Sequence, residues 1–146
     1  MLIGRTNVTQ FAYSAVGLNP HFGTPGNPWD RTRTPGGSSS GAAVSVADRM
    51  AVASIGSDTV GSIRVPAALC GVVGFKPTQR RVLREGAIPL SITIDTVGPL
   101  PRSVEDCAVV FGVIAGEEPR PTDDCNLSDL RLAIPKGTML EALDPR

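Results

Sequence analysis

The sequence predicts an α/β layer fold, and three observations carry that expectation. Short apolar runs at 50–55 and 72–75 alternate with segments of helical pattern, the rhythm of strands and helices packed in layers. The runs lack the polar alternation of a half-exposed strand, so they need helices on both sides and some parallel pairing. Glycine (16) and proline (13) make up about a fifth of the 146 residues, which is too much punctuation for a helical bundle. The chain supplies few helices for such strands, so it is expected to form part of a larger sheet.

The elements follow in order. Residues 1–4 read as the end of an apolar strand. Residues 7–15 fit a short helix, with Asn7 as cap and Phe11 and Ala15 on one face. From Gly17 to Gly37 the chain is loop-like, punctuated by Asn19-Pro20, Thr24-Pro25, Asn27-Pro28 and Thr34-Pro35. A helix is expected over 42–48, its small residues allowing close approach to a sheet. A buried strand over 50–55, a tight turn over 56–61 and a helix over 62–69, shortened or kinked by Pro66, come next. Residues 72–75 read as a second strand, and 79–96 as irregular. Residues 103–115 form the clearest helix. Ser103 and Asp106 approximate a capping box, Val104, Ala108, Phe111 and Ala115 form one stripe, and Gly116 stops it. A polar loop over 117–129 and a last strand over 131–135 complete the pattern.

Composition excludes several function classes. Fourteen basic residues balance fourteen acidic ones and aromatics are only 4%, which argues against nucleic-acid binding. No apolar run reaches the length of a membrane span, and no basic-then-apolar leader is visible. Cys70, Cys107 and Cys125, an odd number without close spacing, fit reduced thiols in the cytoplasm. With His21 the sole histidine and no paired ligands, neither a metal nor any other cofactor is expected. The oligomeric state is not legible.

Two serine-bearing glycine turns stand out: Gly36-Gly37-Ser38-Ser39-Ser40-Gly41 and Gly56-Ser57-Asp58-Thr59-Val60-Gly61-Ser62-Ile63-Arg64. Each precedes a helix, whose free amides and positive dipole end suit an oxyanion. Serine and glycine are also common cap and turn residues, so either turn alone has an ordinary structural explanation. A phosphate loop would require a lysine after the glycines, and none follows. Residues 37–41 match the Gly-x-Ser-x-Gly elbow of serine hydrolases, but that fold places its histidine after the serine and His21 comes before. A serine–lysine pairing remains open.

Taken together, the two turns resemble the amidase signature family, and Ser62 follows Ser38 by 24 positions as in that family. Gly4-Arg5-Thr6-Asn7, Gly23-Thr24-Pro25 with Asn27-Pro28, Gly71-Val72-Val73-Gly74-Phe75-Lys76-Pro77-Thr78 and Thr96-Val97-Gly98-Pro99 continue the likeness, strongest over residues 2–116. The resemblance implies a mixed β-sheet flanked by helices on both faces. It also implies an amidohydrolase acting on a small-molecule amide through a serine acyl-enzyme. Ser62 would be the nucleophile. Ser38, following Gly37 through a cis peptide bond, would relay its proton to a neutral lysine. The amides of Thr59, Val60, Gly61 and Ser62 would form the oxyanion hole, braced by Asp58 and Arg64.

Two departures bear on activity. The family's base lysine precedes the first serine by several tens of residues, a position this chain does not reach. Its two lysines, Lys76 and Lys136, are poor replacements. The resemblance therefore implies that residues 1–146 are one partial amidase domain, without the lysine-bearing and C-terminal parts. Second, Val60 stands where the family prefers glycine, and a β-branched residue is strained there if the position needs positive φ. The alternatives are a catalytically inactive fragment or pseudoenzyme, and an amidase-type subunit of a tRNA-dependent amidotransferase.

Overall fold

The computed structural model describes residues 1–120, 122 and 126–134. Cys125, Lys136 and the end of the strand expected over 131–135 lie outside them. In order, the elements are helix α1 (Ser40–Ala47), strand β1 (Ala53–Asp58), helix α2 (Arg64–Cys70), strand β2 (Thr96–Pro101) and helix α3 (Val104–Ala115). Short 3-10 turns sit at Gln10–Ala12 and Leu127–Asp129.

Small residues determine how α1 packs. Ser40 to Val44 are all buried, so the helix backbone approaches both neighbouring helix and sheet. The core lies between α1, α2 and β2 and is built from Ala42, Ala43, Val44, Ile63, Ala67, Cys70 and Leu100. Pro66 occupies the third position of α2, in the first turn, where its missing N–H costs no helical bond. Gly71 at φ 72° ends α2, and two of its last carbonyls find partners outside the helix. Asn27 donates to the Leu69 carbonyl and the Trp29 indole to the Cys70 carbonyl, each at 2.9 Å. The proline-rich stretch is thereby fastened over α2. Helix α3 forms as expected: the Ser103 hydroxyl accepts the Asp106 amide at 3.0 Å, and Gly116 at φ 69° terminates it. Phe75 and Phe111 pack edge to face, with 5.2 Å between ring centres.

Among the described residues the sheet has two strands, and this pair runs antiparallel. Ala53 faces Pro101, Gly56 faces Gly98 and Asp58 faces Thr96. Strand β1 starts later than expected, is partly exposed, and runs through Gly56–Asp58, so the turn begins at Thr59. Strand β2 falls where no strand was expected, because Pro99 and Pro101 argue against one in sequence. The same prolines explain why 72–75 pairs with β2 without becoming a strand. Val73 and Phe75 donate to the carbonyls of Pro101 and Pro99, at 2.9 and 3.2 Å, and prolines have no N–H to return.

Three other expectations are corrected. Residues 7–15 hold one 3-10 turn, not a helix. Asn7 and Thr9 are tied by backbone bonds to Gly41 and Ser38, and Phe11 and Ala12 take left-handed φ of 55° and 56°. Residues 1–4 and 131–134 carry no strand, being mostly solvent-facing with no neighbouring strand among the described residues. The described part of 117–129 is irregular apart from the turn at Leu127–Asp129.

Candidate active site

Ser38 and Ser62 line one open cleft of about 1220 Å³, together with Ser57, Thr59 and residues from the segments 5–12, 84–92 and 95–97. Backbone geometry brings the two glycine turns together. The Ser39 amide donates to the Ser62 carbonyl at 3.1 Å. The Ser38 carbonyl accepts the Thr9 amide at 3.0 Å and the Ser40 amide at 2.8 Å. The Gly37–Ser38 peptide bond is cis. A Cβ at Gly37 would lie 2.6 Å from the Thr9 hydroxyl and 2.8 Å from the Gly17 nitrogen, so only glycine fits there. The Ser38 side chain is fully buried, and its hydroxyl has no hydrogen-bond partner among the described residues. Thr9 Oγ1 and Asn7 Oδ1, from segments lining the same cleft, are also buried without partners.

The loop from Asp58 to Arg64 is braced from beneath. Asp58 is fully buried at the end of β1. Its Oδ2 accepts the Ile63 amide at 3.0 Å, the Arg64 amide at 3.3 Å and Arg64 Nε at 3.1 Å, while Oδ1 accepts Arg64 Nη2 at 3.1 Å. Burial alone would push the Asp58 carboxyl up. The Arg64 hydrogen bond, the Ile63 amide and the Arg64 charge outweigh it and hold Asp58 below the usual carboxylate range. Two backbone donors locked to one carboxylate set the shape of the turn. Among the described residues, none of the amides of Thr59, Val60, Gly61 or Ser62 donates to a protein acceptor. Thr59 and Ser62 also line the cleft.

Val60 does not meet the strain expected of it. It is absent from the positive-φ residues, so a β-branched side chain is tolerated, and that side chain is 82% exposed and outside the cleft lining. Lys76 is engaged elsewhere. Its ammonium donates to the carbonyls of Asp58 (2.5 Å) and Ile94 (2.8 Å) and to the Thr96 hydroxyl (3.2 Å), and lies 3.7 Å from Asp58 Oδ1. Sequence reasoning set Lys76 aside as a base but missed this buttressing contact. It also missed Asp95, whose Oδ1 accepts the Thr59 hydroxyl at 2.5 Å. No local pattern reveals either one, because the partners lie 18 and 36 positions away.

Among the described residues, no three His, Cys, Asp or Glu side chains are grouped as metal ligands, and no helix is long and apolar enough to cross a membrane. Cys70 and Cys107 are buried free thiols. Burial, with a smaller push from Asp48, raises Cys70 to about 11.

The sequence model of the Amidase family matches residues 1–138. The chain belongs to the amidase family. A glutamyl-tRNA(Gln) amidotransferase subunit from Geobacter sulfurreducens is 42% identical over 99% of this amidase chain and 33% of its own length. The corresponding subunit from Campylobacter fetus is 48% identical over 87% of the chain and 28% of its own length. Among solved structures, an amidase superposes with a TM-score of 0.77 at 49% identity, over 79% of this chain and 26% of that one. The native peptide amidase of Stenotrophomonas maltophilia gives 0.75 at 46% identity, over 79% and 25%. The fold is therefore that of the amidase signature enzymes. The chain spans a third or less of the length of these relatives.

Proposed function

We propose that this chain carries the nucleophile-bearing part of an amidase that cleaves the carbon–nitrogen bond of a linear, non-peptide amide through a serine acyl-enzyme. The observation that carries the reading is the Ser38 hydroxyl, buried without a partner and bordering the same cleft as Ser62. A buried hydroxyl without a partner costs stability, so its retention suits a role in proton transfer. Ser62 Oγ attacks the amide carbon and passes its proton to Ser38 Oγ, which gives up its own to a neutral lysine. The carbonyl oxygen, now negative, is held by the amides of Thr59 to Ser62. The lysine then protonates the departing nitrogen, the amine leaves, and water cleaves the ester on Ser62. Lys76 is committed to three oxygens beneath the loop and does not serve as that base. Residues 1–146 form one partial amidase domain in this reading, with the base supplied by another segment. Two free buried thiols suit a cytoplasmic setting.

The test is fluorophosphonate labelling of a chimera in which residues 1–138 replace the matching segment of an amidase that keeps its own lysine. An adduct on Ser62 is expected. It is lost in Ser62→Ala and slowed about 100-fold or more in Ser38→Ala, the usual size of a general-base contribution. An adduct that persists in Ser62→Ala overturns the assignment.

A second reading is favoured by the names of the relatives: the chain as part of an amidotransferase subunit releasing ammonia for a partner that acts on charged tRNA. Hydrolysis of glutamine by the same chimera, stimulated by that partner, would select it over a free-standing amidase.

A further inference from the structure

We propose that Asp95 is a positioning residue that latches the cleft segment 84–95 to the loop carrying the oxyanion-binding amides, so that both take up their places together. The proposal rests on the amidase reading for its chemistry, but not for its geometry. Segment 84–95 has no helix or strand, yet Ile88, Leu90 and Ile92 all line the cleft. Its order comes from a few polar contacts: Lys76 and Gln79 hold the carbonyls of Ile94 and Ile92 from outside, and Asp95 takes part in about half of the rest of the network and is the residue that reaches Thr59. Asp95 Oδ2 accepts the amides of Leu90 and Ser91, both at 2.8 Å, and the Asp95 amide returns to the Ser91 carbonyl at 3.1 Å. Arg84 donates to the carbonyls of Ile92 and Asp95, at 3.2 and 3.3 Å, and so closes the segment on itself.

The other carboxylate oxygen faces the opposite way. Asp95 Oδ1 accepts the Thr59 hydroxyl at 2.5 Å. Thr59 is the first of the four residues whose amides are unengaged. The next residue after Asp95, Thr96, opens β2 and faces Asp58 in the sheet. One carboxylate thus organises the cleft segment with one oxygen and grips the loop with the other. Burial would push its pKa up; the Thr59 hydroxyl, the Ser91 and Leu90 amides and the Arg84 charge hold it down, so it stays an acceptor near neutrality.

A merely structural aspartate would hold the segment 84–95 and leave the loop indifferent. A latch transmits a change on one oxygen to the groups on the other. The experiment measures amide hydrogen exchange in the full 146-residue chain for Thr59→Val, Thr59→Ser and Asp95→Asn. Thr59→Val replaces the hydroxyl by a methyl of similar size, while Thr59→Ser keeps the hydroxyl. Thr59→Val is expected to speed exchange at Leu90 and Ser91 about tenfold, although the Thr59 hydroxyl bonds to Asp95 and to neither of them, with Thr59→Ser restoring protection. Asp95→Asn is expected to speed exchange at Ile63 and Arg64. In the chimera, Thr59→Val should slow fluorophosphonate labelling of Ser62 about tenfold, again rescued by serine. Unchanged protection of Leu90 and Ser91 in Thr59→Val overturns the latch. Absence of any Ser62 adduct in the unmutated chimera overturns the amidase reading instead, and the exchange comparison then decides the latch alone.

Discussion

Asp58 accepts Arg64 at both ends of its guanidinium, Nε on one carboxylate oxygen and Nη2 on the other, each at 3.1 Å. The same carboxylate holds the Ile63 and Arg64 amides. Its folded pKa therefore lies below the unfolded value of about 3.9. A depressed carboxyl contributes stability that is fully present above the unfolded value and is lost as pH falls through the folded one. Urea stability should accordingly fall as the pH drops below about 4. Asp58→Asn should lose about 3 kcal/mol at pH 7 and show a shallower acid limb; the low end of the buried-pair range applies because Arg64 is half exposed. Equal acid limbs for the two proteins would mean that Asp58 is not the group responsible.

Ser38 should display a conflict between stability and chemistry. Its hydroxyl is buried without a partner, and such a group costs about 1–3 kcal/mol. Ser38→Ala should therefore raise unfolding stability by about 1 kcal/mol while slowing Ser62 labelling. Loss of stability in a thermal melt would show that the hydroxyl has a structural partner after all.

Lys76→Met keeps the length and apolar stem of the side chain but removes the ammonium. It strips a charged donor from the carbonyls of Asp58 and Ile94 and the Thr96 hydroxyl. A loss of about 2–3 kcal/mol is expected in urea unfolding. The pH at which Ser62 labelling becomes half-maximal should not move, because Lys76 is not the base. A shifted midpoint would restore it as a candidate.

Gly56 and Gly98 face each other across the sheet. A Cβ at Gly56 would lie 2.6 Å from Ser39 Oγ and 2.9 Å from Leu100, and one at Gly98 would lie 2.9 Å from Pro77 Cδ. Alanine at either position should cost about 1–3 kcal/mol through overpacking, measured by chemical unfolding. Gly86→Ala is the contrasting control for space, since nothing lies within 4 Å, though its φ of 82° makes it strained for a different reason.

Helix α3 was readable because its signals are local: Ser103 caps it, Gly116 stops it, and one apolar stripe runs between. Strand β2 was not, because Pro99 and Pro101 turn their carbonyls toward Val73 and Phe75, an arrangement visible only once the segments meet. The helix expected over 7–15 failed for a similar reason, as Asn7 and Thr9 are held in place by Gly41 and Ser38, some thirty residues on. At the site, the paired glycine turns pointed to Ser38, Ser62, Asp58 and Arg64 through a family likeness. Lys76 and Asp95 act through distant partners and leave no periodic trace.

The bond from the Ser39 amide to the Ser62 carbonyl joins the two turns without using a side chain. Their spacing is therefore indifferent to whether positions 38 and 62 still hold serine. A descendant of such a chain can lose its hydroxyls and go on building the same hollow. Ancestry in this fold is recorded by the main chain, and the main chain does not need those two oxygen atoms to keep the record.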